Sequence, residues 1–286
     1  MNKEILIELG LHEDIREGDI TTQCIIPDNK LIKAQIRAKQ DGILCGIDIA
    51  KYVLFKYDKN VKFIKKFDDG EKIKEGDILA IIQGKASSII TCERLMLNFL
   101  QVLSGIATTA NKYVQKVKKY NVQVLDTRKT IPGYRELQKY AVKTGEAINH
   151  RHGLYDMVLI KDNHIKAAGS IEKALGLVKN NEEFKKLRKI KHLKIEIEVE
   201  NIAEVKKVLA NDGIDMIMLD NFSLSDTLKA VEIIRKKNKV IKIESSGGIN
   251  LQNIEDYAKT GVDFISIGTA LTISPQTLDI TVDILN

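Results

Sequence analysis

The chain has 286 residues, of which 44% are hydrophobic and 29% are charged, proportions that are ordinary for a globular protein in water. Its net charge is +6, but most of the excess is lysine scattered along helical stretches without any nucleic-acid-binding motif. Trp is absent, the first residues lack a signal-peptide core and the apolar runs are too short for a membrane span, so we expect a cytoplasmic protein and no base-stacking surface.

The N-terminal third predicts a small mixed domain. A short helix at residues 3–9 precedes strand-like pieces at residues 33–38, 42–45 and 77–83, which Gly and Asp turns separate. Residues 69–80 are typical of a turn-rich hairpin. Residues 88–120 predict a helix with one apolar stripe, and the Ser104-Gly105 pair in it predicts a break or a kink.

From residue 122 onward, short apolar strands alternate with helices, a pattern that predicts parallel strands in βα units. Helices are predicted at residues 171–178, 202–209, 224–236 and 251–259. The pattern favours a β/α barrel, whose active site forms at the carboxyl ends of the strands, over a doubly wound open sheet. The six strands are predicted at residues 122–125, 157–160, 195–199, 216–219, 241–243 and 264–267.

Charged residues lie where four consecutive predicted strands end. Cations beside apolar strands are costly to desolvate unless a partner compensates them, so we expect substrates that carry carboxylates and phosphates. Any single one of these residues could instead form a buried salt bridge. The sequence leaves open which of three alternating glutamates faces the pocket. The candidates are Arg128, Lys129, Lys161, Glu196, Glu198, Glu200 and Asp220.

Glycines follow the last two predicted strands. Ser246-Gly247-Gly248 comes after the fifth strand and Gly268 after the sixth. At these positions in a β/α barrel, backbone N–H groups often bind a phosphate, and glycine lets the backbone approach the oxygens closely. The dinucleotide-binding, P-loop, zinc-protease and nucleophile-elbow motifs are absent from the sequence.

Three segments together resemble the signature of the quinolinate phosphoribosyltransferase family. They are Asp-Thr-Arg-Lys-Thr at residues 126–130, Asn-His-Arg at 149–151 and Leu-Ile-Lys-Asp-Asn-His at 159–164. Further matches carry the resemblance along nearly the whole chain, at residues 13–22, 93–108, 198–200, 219–221 and 246–249. One departure is Gly145-Glu146-Ala147, where the family often has consecutive glycines. Glu146 would bring a negative charge close to an anion-binding loop.

The resemblance implies an α/β fold in two domains. An N-terminal α/β sandwich would span residues 1–105, with the tail 271–286 packing on it. An open, incomplete β/α barrel of about six parallel strands would span residues 106–270. It also implies a homodimer that shares its active sites and could assemble further.

The implied reaction joins quinolinate to 5-phosphoribosyl-1-diphosphate with Mg²⁺, and it yields nicotinate mononucleotide, diphosphate and carbon dioxide in NAD biosynthesis. Three alternatives stay open at this point. A related enzyme of molybdenum-transport operons shares the Asp-Thr-Arg-Lys-Thr motif, a phosphate-handling aldolase would use Lys161 as a Schiff base, and a non-catalytic module would bind anions without turnover.

The resemblance also assigns roles to individual residues. The ring carboxylates would be held by Arg128, His150, Arg151 and the partner subunit's Arg94. The catalytic group would comprise Lys129 and Lys161 at the carboxylate or diphosphate oxygens, and Glu198 and Asp220 at the ribose hydroxyls and the metal-bound diphosphate. The 5-phosphate would be cradled by Ser246, Gly247, Gly248 and Gly268.

Overall fold

The computed structural model describes residues 3–285, which fall into two compact units. Within these residues, the first unit comprises residues 3–111, 129–147 and 271–285, and the second comprises residues 112–128 and 148–270. Residues 129–147 and the C-terminal tail group with the N-terminal residues in the first unit.

Twelve helices and twelve strands are found within the described residues. The helices are α1 (Lys3–Ile15), α2 (Ile20–Ile25), α3 (Ile47–Tyr57), α4 (Ala86–Val117), α5 (Arg135–Thr144), α6 (Asp162–Ala168), α7 (Ile171–Asn180), α8 (Glu182–Lys191), α9 (Ile202–Leu209), α10 (Leu224–Lys237), α11 (Ile254–Lys259) and α12 (Thr269–Thr272). The strands are β1 (Leu31–Ala38), β2 (Gly42–Ile43), β3 (Lys62–Lys65), β4 (Lys72–Ile73), β5 (Ile78–Lys85), β6 (Gln123–Leu125), β7 (Val158–Ile160), β8 (Ile195–Val199), β9 (Met216–Asp220), β10 (Lys242–Ser246), β11 (Phe264–Ser266) and β12 (Ile280–Leu285).

The first unit is built on a four-stranded antiparallel sheet in the order β12-β1-β5-β3. Alternate β1 residues, Ala34, Ile36 and Ala38, are fully buried, as expected for a strand with one face on the core. The prediction of a hairpin at residues 69–80 is wrong, because its two strands do not pair with each other. Strand β4 pairs with β2 and strand β5 pairs with β1 and β3, so this segment crosses between two sheets.

Helix α4 is continuous, so the break predicted at Ser104-Gly105 is also wrong. A Cβ atom on Gly105 would lie 2.2 Å from the carbonyl oxygen of Gln276, and the glycine therefore serves a close approach of two backbones. The Ser104 hydroxyl accepts the Cys45 N–H at 2.9 Å. By length and composition α4 could cross a membrane, but 61% of its most apolar window is buried inside the protein, as in core helices that pass the same test.

The second unit contains a six-stranded sheet in the order β6-β11-β10-β9-β8-β7, in which every neighbouring pair is parallel. Strands β6 and β7 form its two edges, so the barrel is open, as predicted. Helices follow the strands along the chain, and the apolar faces of α9 and α10 supply buried residues such as Val205, Val208 and Ile234.

The residue that departs from the family pattern, Glu146, has a φ of +71°. This left-handed conformation costs an L-residue about 1–2 kcal/mol, but glycine adopts it freely. Glu146→Gly is therefore expected to stabilise the protein by up to about 1 kcal/mol and to raise Tm by about 2–4 °C in a thermal melt.

Glu146→Ala is the matched control, because alanine removes the same carboxylate but keeps a Cβ atom. The alanine variant should melt at or below the wild-type temperature. An equal rise in both variants would show that the carboxylate, and not the backbone conformation, is unfavourable.

Candidate active site

Charged and polar side chains of the second unit gather at the carboxyl ends of neighbouring strands. Lys161 follows β7, Glu198 lies near the end of β8, and Asp220 and Ser246 end β9 and β10. Asp220 is paired in register with Ser246. The parallel pairing thus brings these predicted site residues to one edge of the sheet.

Lys161 and Glu198 form an ion pair between Nζ and Oε2, and their side chains are 43% and 10% exposed. Lys161 is also the N-cap residue of α6, and its backbone N–H donates to Nδ1 of His164 at 2.9 Å. Glu198 is therefore the buried partner that anchors the pair. The ammonium group of Lys161 is the accessible partner, so an anion from solvent can reach it.

The structure separates the three alternating glutamates that the sequence left open. Glu196 is fully buried and Glu198 is 9% exposed. Glu200 is exposed beyond the end of β8, where its backbone N–H donates to Glu204 at 2.9 Å. Glu196 and Glu198 point to the same side of the strand because they are two residues apart.

His150 is held inside the second unit by several contacts. Its Nε2 lies 3.0 Å from Oε2 of Glu196 and 3.3 Å from Oε2 of Glu244. Its Nδ1 accepts the backbone N–H of Arg151 at 2.7 Å. Its own backbone N–H donates to the buried carboxylate of Asp126 at 2.8 Å. Both ring nitrogens therefore have partners within the protein.

The pKa values of His150 and Glu196, which meet in the cluster with Glu244, are both raised. Burial lowers the pKa of His150, but the hydrogen bonds with the two carboxylates outweigh this effect and raise the pKa to about 10. Burial first, and then the charge of Glu244, raise the pKa of Glu196 to about 8. Because Nδ1 accepts a backbone N–H, the proton of the ring lies on Nε2, which faces the two carboxylates.

The same three residues are the group within residues 3–285 whose side chains could converge on a metal ion, with ligand atoms within 4.8 Å of one another. The Oε1 atoms of Glu196 and Glu244 have no hydrogen-bond partner, and Oε2 of Glu244 faces the His150 ring at 3.3 Å.

Two arginines of the predicted pocket lie within electrostatic reach of each other. Burial lowers the pKa of Arg151, and the charge of Arg128 lowers it further. Arg151 Nη1 donates to the carbonyl oxygen of Met157 at 3.3 Å. The charges of Glu196 and Asp156 partly offset this repulsion between the two arginines, and a bound anion would offset it further. The pair is therefore suited to bind carboxylates.

The glycine loop after β10 packs tightly against the loop after β9. Gly247 and Gly248 have φ values of +92° and +64°. A Cβ atom on Gly247 would lie 2.1 Å from Oδ1 of Asn221. The Asn221 N–H donates to the Ser246 carbonyl oxygen at 2.8 Å. Glycine is thus required at residue 247 by both conformation and space.

The remaining predicted residues lie elsewhere in the chain. Gly268 follows β11 in the second unit, whereas Arg94 on α4 and Lys129 are exposed residues of the first unit. Sequence reasoning missed Glu244 and gave Asp126 no role. A charged residue inside an apolar strand would have pointed to Glu244. The predicted strand ended at residue 243, so Glu244 was not recognised as part of it.

Known proteins resemble the chain along nearly its whole length. Family models for the N-terminal and C-terminal domains of quinolinate phosphoribosyl transferase match residues 19–104 and 106–283. A probable nicotinate-nucleotide pyrophosphorylase [carboxylating] of Methanocaldococcus jannaschii is 44% identical over 98% of this chain and 96% of its own length. The Mycobacterium leprae nicotinate-nucleotide pyrophosphorylase is 39% identical over 97% and 95%. The crystal structure of the Ehrlichia chaffeensis nicotinate-nucleotide pyrophosphorylase superposes with a TM-score of 0.90 at 37% identity, covering 100% of this chain and 99% of that one.

Proposed function

The chain belongs to the quinolinate phosphoribosyltransferase family, and we propose that its active site lies at the carboxyl ends of the barrel strands. The enzyme transfers a phosphoribosyl group from 5-phosphoribosyl-1-diphosphate to quinolinate with loss of carbon dioxide. It is therefore a pentosyltransferase of NAD biosynthesis. The alternatives that the sequence left open have no counterpart among these relatives.

The observation that best supports this site is the pair of like charges on Arg128 and Arg151. Quinolinate carries two carboxylates on adjacent ring carbons, and guanidinium groups bind carboxylates in a bidentate fork. A dianion would relieve the repulsion between the two arginines. A monoanion would relieve less of it, so the pair would select quinolinate over nicotinate.

The remaining site residues would act on the sugar diphosphate. Lys161 would face the departing diphosphate, while Glu198 and Asp220 would hold the ribose hydroxyls. The loop at Ser246–Gly248, together with Gly268, would bind the 5-phosphate through backbone N–H groups. Lys129 would assist at the carboxylate or diphosphate oxygens.

The chemistry then requires no protein nucleophile. The bond between ribose C1 and the diphosphate oxygen breaks with its electrons on the diphosphate, and the ring nitrogen of quinolinate forms the new bond to C1. Cations placed in advance stabilise the negative charge that develops on the leaving group. The bond to the carboxylate beside the ring nitrogen then breaks, its electron pair stays on the ring carbon next to the positive nitrogen, and that carbon takes up a proton.

We also propose Mg²⁺ as the metal. Glu198 and Asp220, near the ends of two neighbouring strands, offer the carboxylate oxygens that Mg²⁺ prefers. Mg²⁺ commonly keeps several waters and binds one or two carboxylates plus substrate phosphates. The two residues therefore fit an ion held mainly by the diphosphate, whose charge the bound ion would neutralise.

A cytoplasmic homodimer completes the proposal. The partner subunit's Arg94 would contribute to the quinolinate pocket, which agrees with the exposure of this side chain on α4. Charged groups at an interface usually face groups of opposite charge. The guanidinium group of the partner subunit's Arg94 would therefore face a carboxylate of the substrate.

Diphosphate release in the presence of quinolinate, nicotinate or no acceptor tests the function. We expect release only with quinolinate, together with one carbon dioxide per diphosphate. A non-catalytic module would bind quinolinate without release. An aldolase-type enzyme would be trapped at Lys161 by borohydride and a carbonyl substrate. Equal release with nicotinate would contradict the selection by paired arginines.

A further inference from the structure

The cluster of His150, Glu196 and Glu244 has no part in the mechanism above, yet it occupies the interior of the barrel unit. Both glutamates are fully buried, and the side chain of His150 is 7% exposed. Glu196 lies on β8 and Glu244 on β10, with β9 between them. The cluster therefore joins two strands that are not neighbours through one imidazole ring.

Stability alone does not explain two buried acids. Desolvating carboxylates costs several kcal/mol each, on the order of what a hydrophobic replacement would recover. The residues of β9 that pair with β8 and β10 at this level, Met216 and Met218, are apolar, so apolar side chains are compatible with this layer. Buried acidic residues with perturbed pKa values are commonly found at functional sites, where their role offsets the cost of desolvation.

The ring is tied to Arg151 by a direct contact. His150 Nδ1 accepts the Arg151 N–H at 2.7 Å, so the orientation of the ring determines that of the Arg151 peptide. The segment that carries His150 and Arg151 is also held at its N-terminal end, where the Ile148 N–H donates to the Val124 carbonyl oxygen at 2.8 Å. The glutamates contact the Nε2 side of the ring, and the Nδ1 side contacts the backbone of Arg151.

We propose that Glu196 and Glu244 are positioning residues for quinolinate: they fix the His150 ring, and the ring fixes Arg151 beside Arg128. This inference rests on the proposed function. It assigns the two acids to the binding of the dicarboxylate and not to the sugar diphosphate, whose proposed partners lie at the strand ends.

The direction of the effect separates positioning from simple electrostatics. Removing a negative charge near two arginines would by itself strengthen the binding of a dianion and lower the KM for quinolinate. Loss of positioning does the opposite, because a guanidinium misplaced by about 1 Å can cost about 10²-fold in a positioned reaction. We therefore expect Glu244→Gln to raise the KM for quinolinate by about 10²-fold and to leave the KM for 5-phosphoribosyl-1-diphosphate unchanged.

Three further variants complete the experiment. Glu196→Gln should behave as Glu244→Gln does, and Glu244→Asp should recover part of the affinity because it restores a carboxylate. Glu232→Gln, an exposed position on α10, is the matched control and should match wild type. If Glu244→Gln does not fold by circular dichroism, Glu196→Gln and Glu244→Asp decide the matter.

The double variant His150→Ala/Glu244→Gln tests whether the glutamate acts through the ring. Positioning predicts that Glu244→Gln adds nothing to the KM for quinolinate once the ring is absent. Additive effects, a lowered KM, equal effects on both substrates, or a stoichiometric divalent ion in the isolated wild type that Glu244→Gln loses would each overturn the proposal. A wild type that releases no diphosphate with quinolinate would instead remove the proposed function.

Discussion

Replacing Arg128 by alanine is expected to lower kcat/KM for quinolinate by about 30-fold to 5,000-fold. The guanidinium would contact a carboxylate of the substrate, and truncating one partner of a hydrogen-bonded charge pair in a desolvated site costs about 2–5 kcal/mol. The loss should appear in steady-state kinetics and in equilibrium binding of quinolinate. Binding of 5-phosphoribosyl-1-diphosphate alone should persist, because its proposed partners lie on other strands.

Two companion variants make this result interpretable. Arg128→Lys keeps the charge but loses the planar fork, so its activity should fall between wild type and Arg128→Ala. Arg37→Ala removes an arginine from a partly exposed ion pair with Asp283, and such pairs contribute little to stability. Near-normal turnover in a folded Arg128→Ala enzyme would contradict the assignment of the quinolinate pocket.

Mixing two inactive variants should restore activity if subunits share their sites. In a mixed dimer of Arg94→Ala and Lys161→Ala chains, one site combines an intact Lys161 with an intact arginine from the partner, and the other site lacks both. Random reassociation of equal amounts makes half of the dimers mixed, so about one quarter of wild-type activity should return. Each variant alone should stay below about 1% of wild type, as expected for the loss of a charged contact in the transition state.

The outcome depends on verified exchange of subunits. Differently tagged chains should be purified as mixed dimers before the assay, because slow exchange would imitate a negative result. Mixed dimers with no recovery would place Arg94 in the site of its own chain or outside the site altogether. Mixing Arg94→Ala with Arg128→Ala should give the same quarter, since Arg128 belongs to the same set as Lys161.

The barrel could be predicted from the sequence because its signals are local. Strand β8 and helix α9 have the predicted bounds, since β8 alternates strictly between apolar residues and glutamates and α9 is an amphipathic run. The grouping of charged residues at one edge of the sheet could then be predicted, because parallel strands bring their carboxyl ends together. Lys161 and Glu198 are in contact for this reason.

The features that sequence reasoning missed depend on partners distant in the chain. Nothing near residues 69–80 shows that β4 pairs with β2 and not with β5. Gly105 resembles a helix breaker until the backbone of Gln276 is placed against it. The role of Glu244 likewise appears only when β8, β10 and His150 are brought together. Non-local packing therefore decided what local propensity could not.

The approach of Gly247 to Asn221 has a consequence for substrate choice. A backbone hydrogen bond of 2.8 Å and the lack of room for a single carbon atom join the ends of β9 and β10 into one rigid piece. In the proposed site, one end of this piece grips the phosphate and the other the hydroxyl groups of the same sugar. The distance between the phosphate-binding end and the hydroxyl-binding end is fixed before any ligand binds. A pentose phosphate would therefore reach both ends, and a hexose phosphate would not contact both at once.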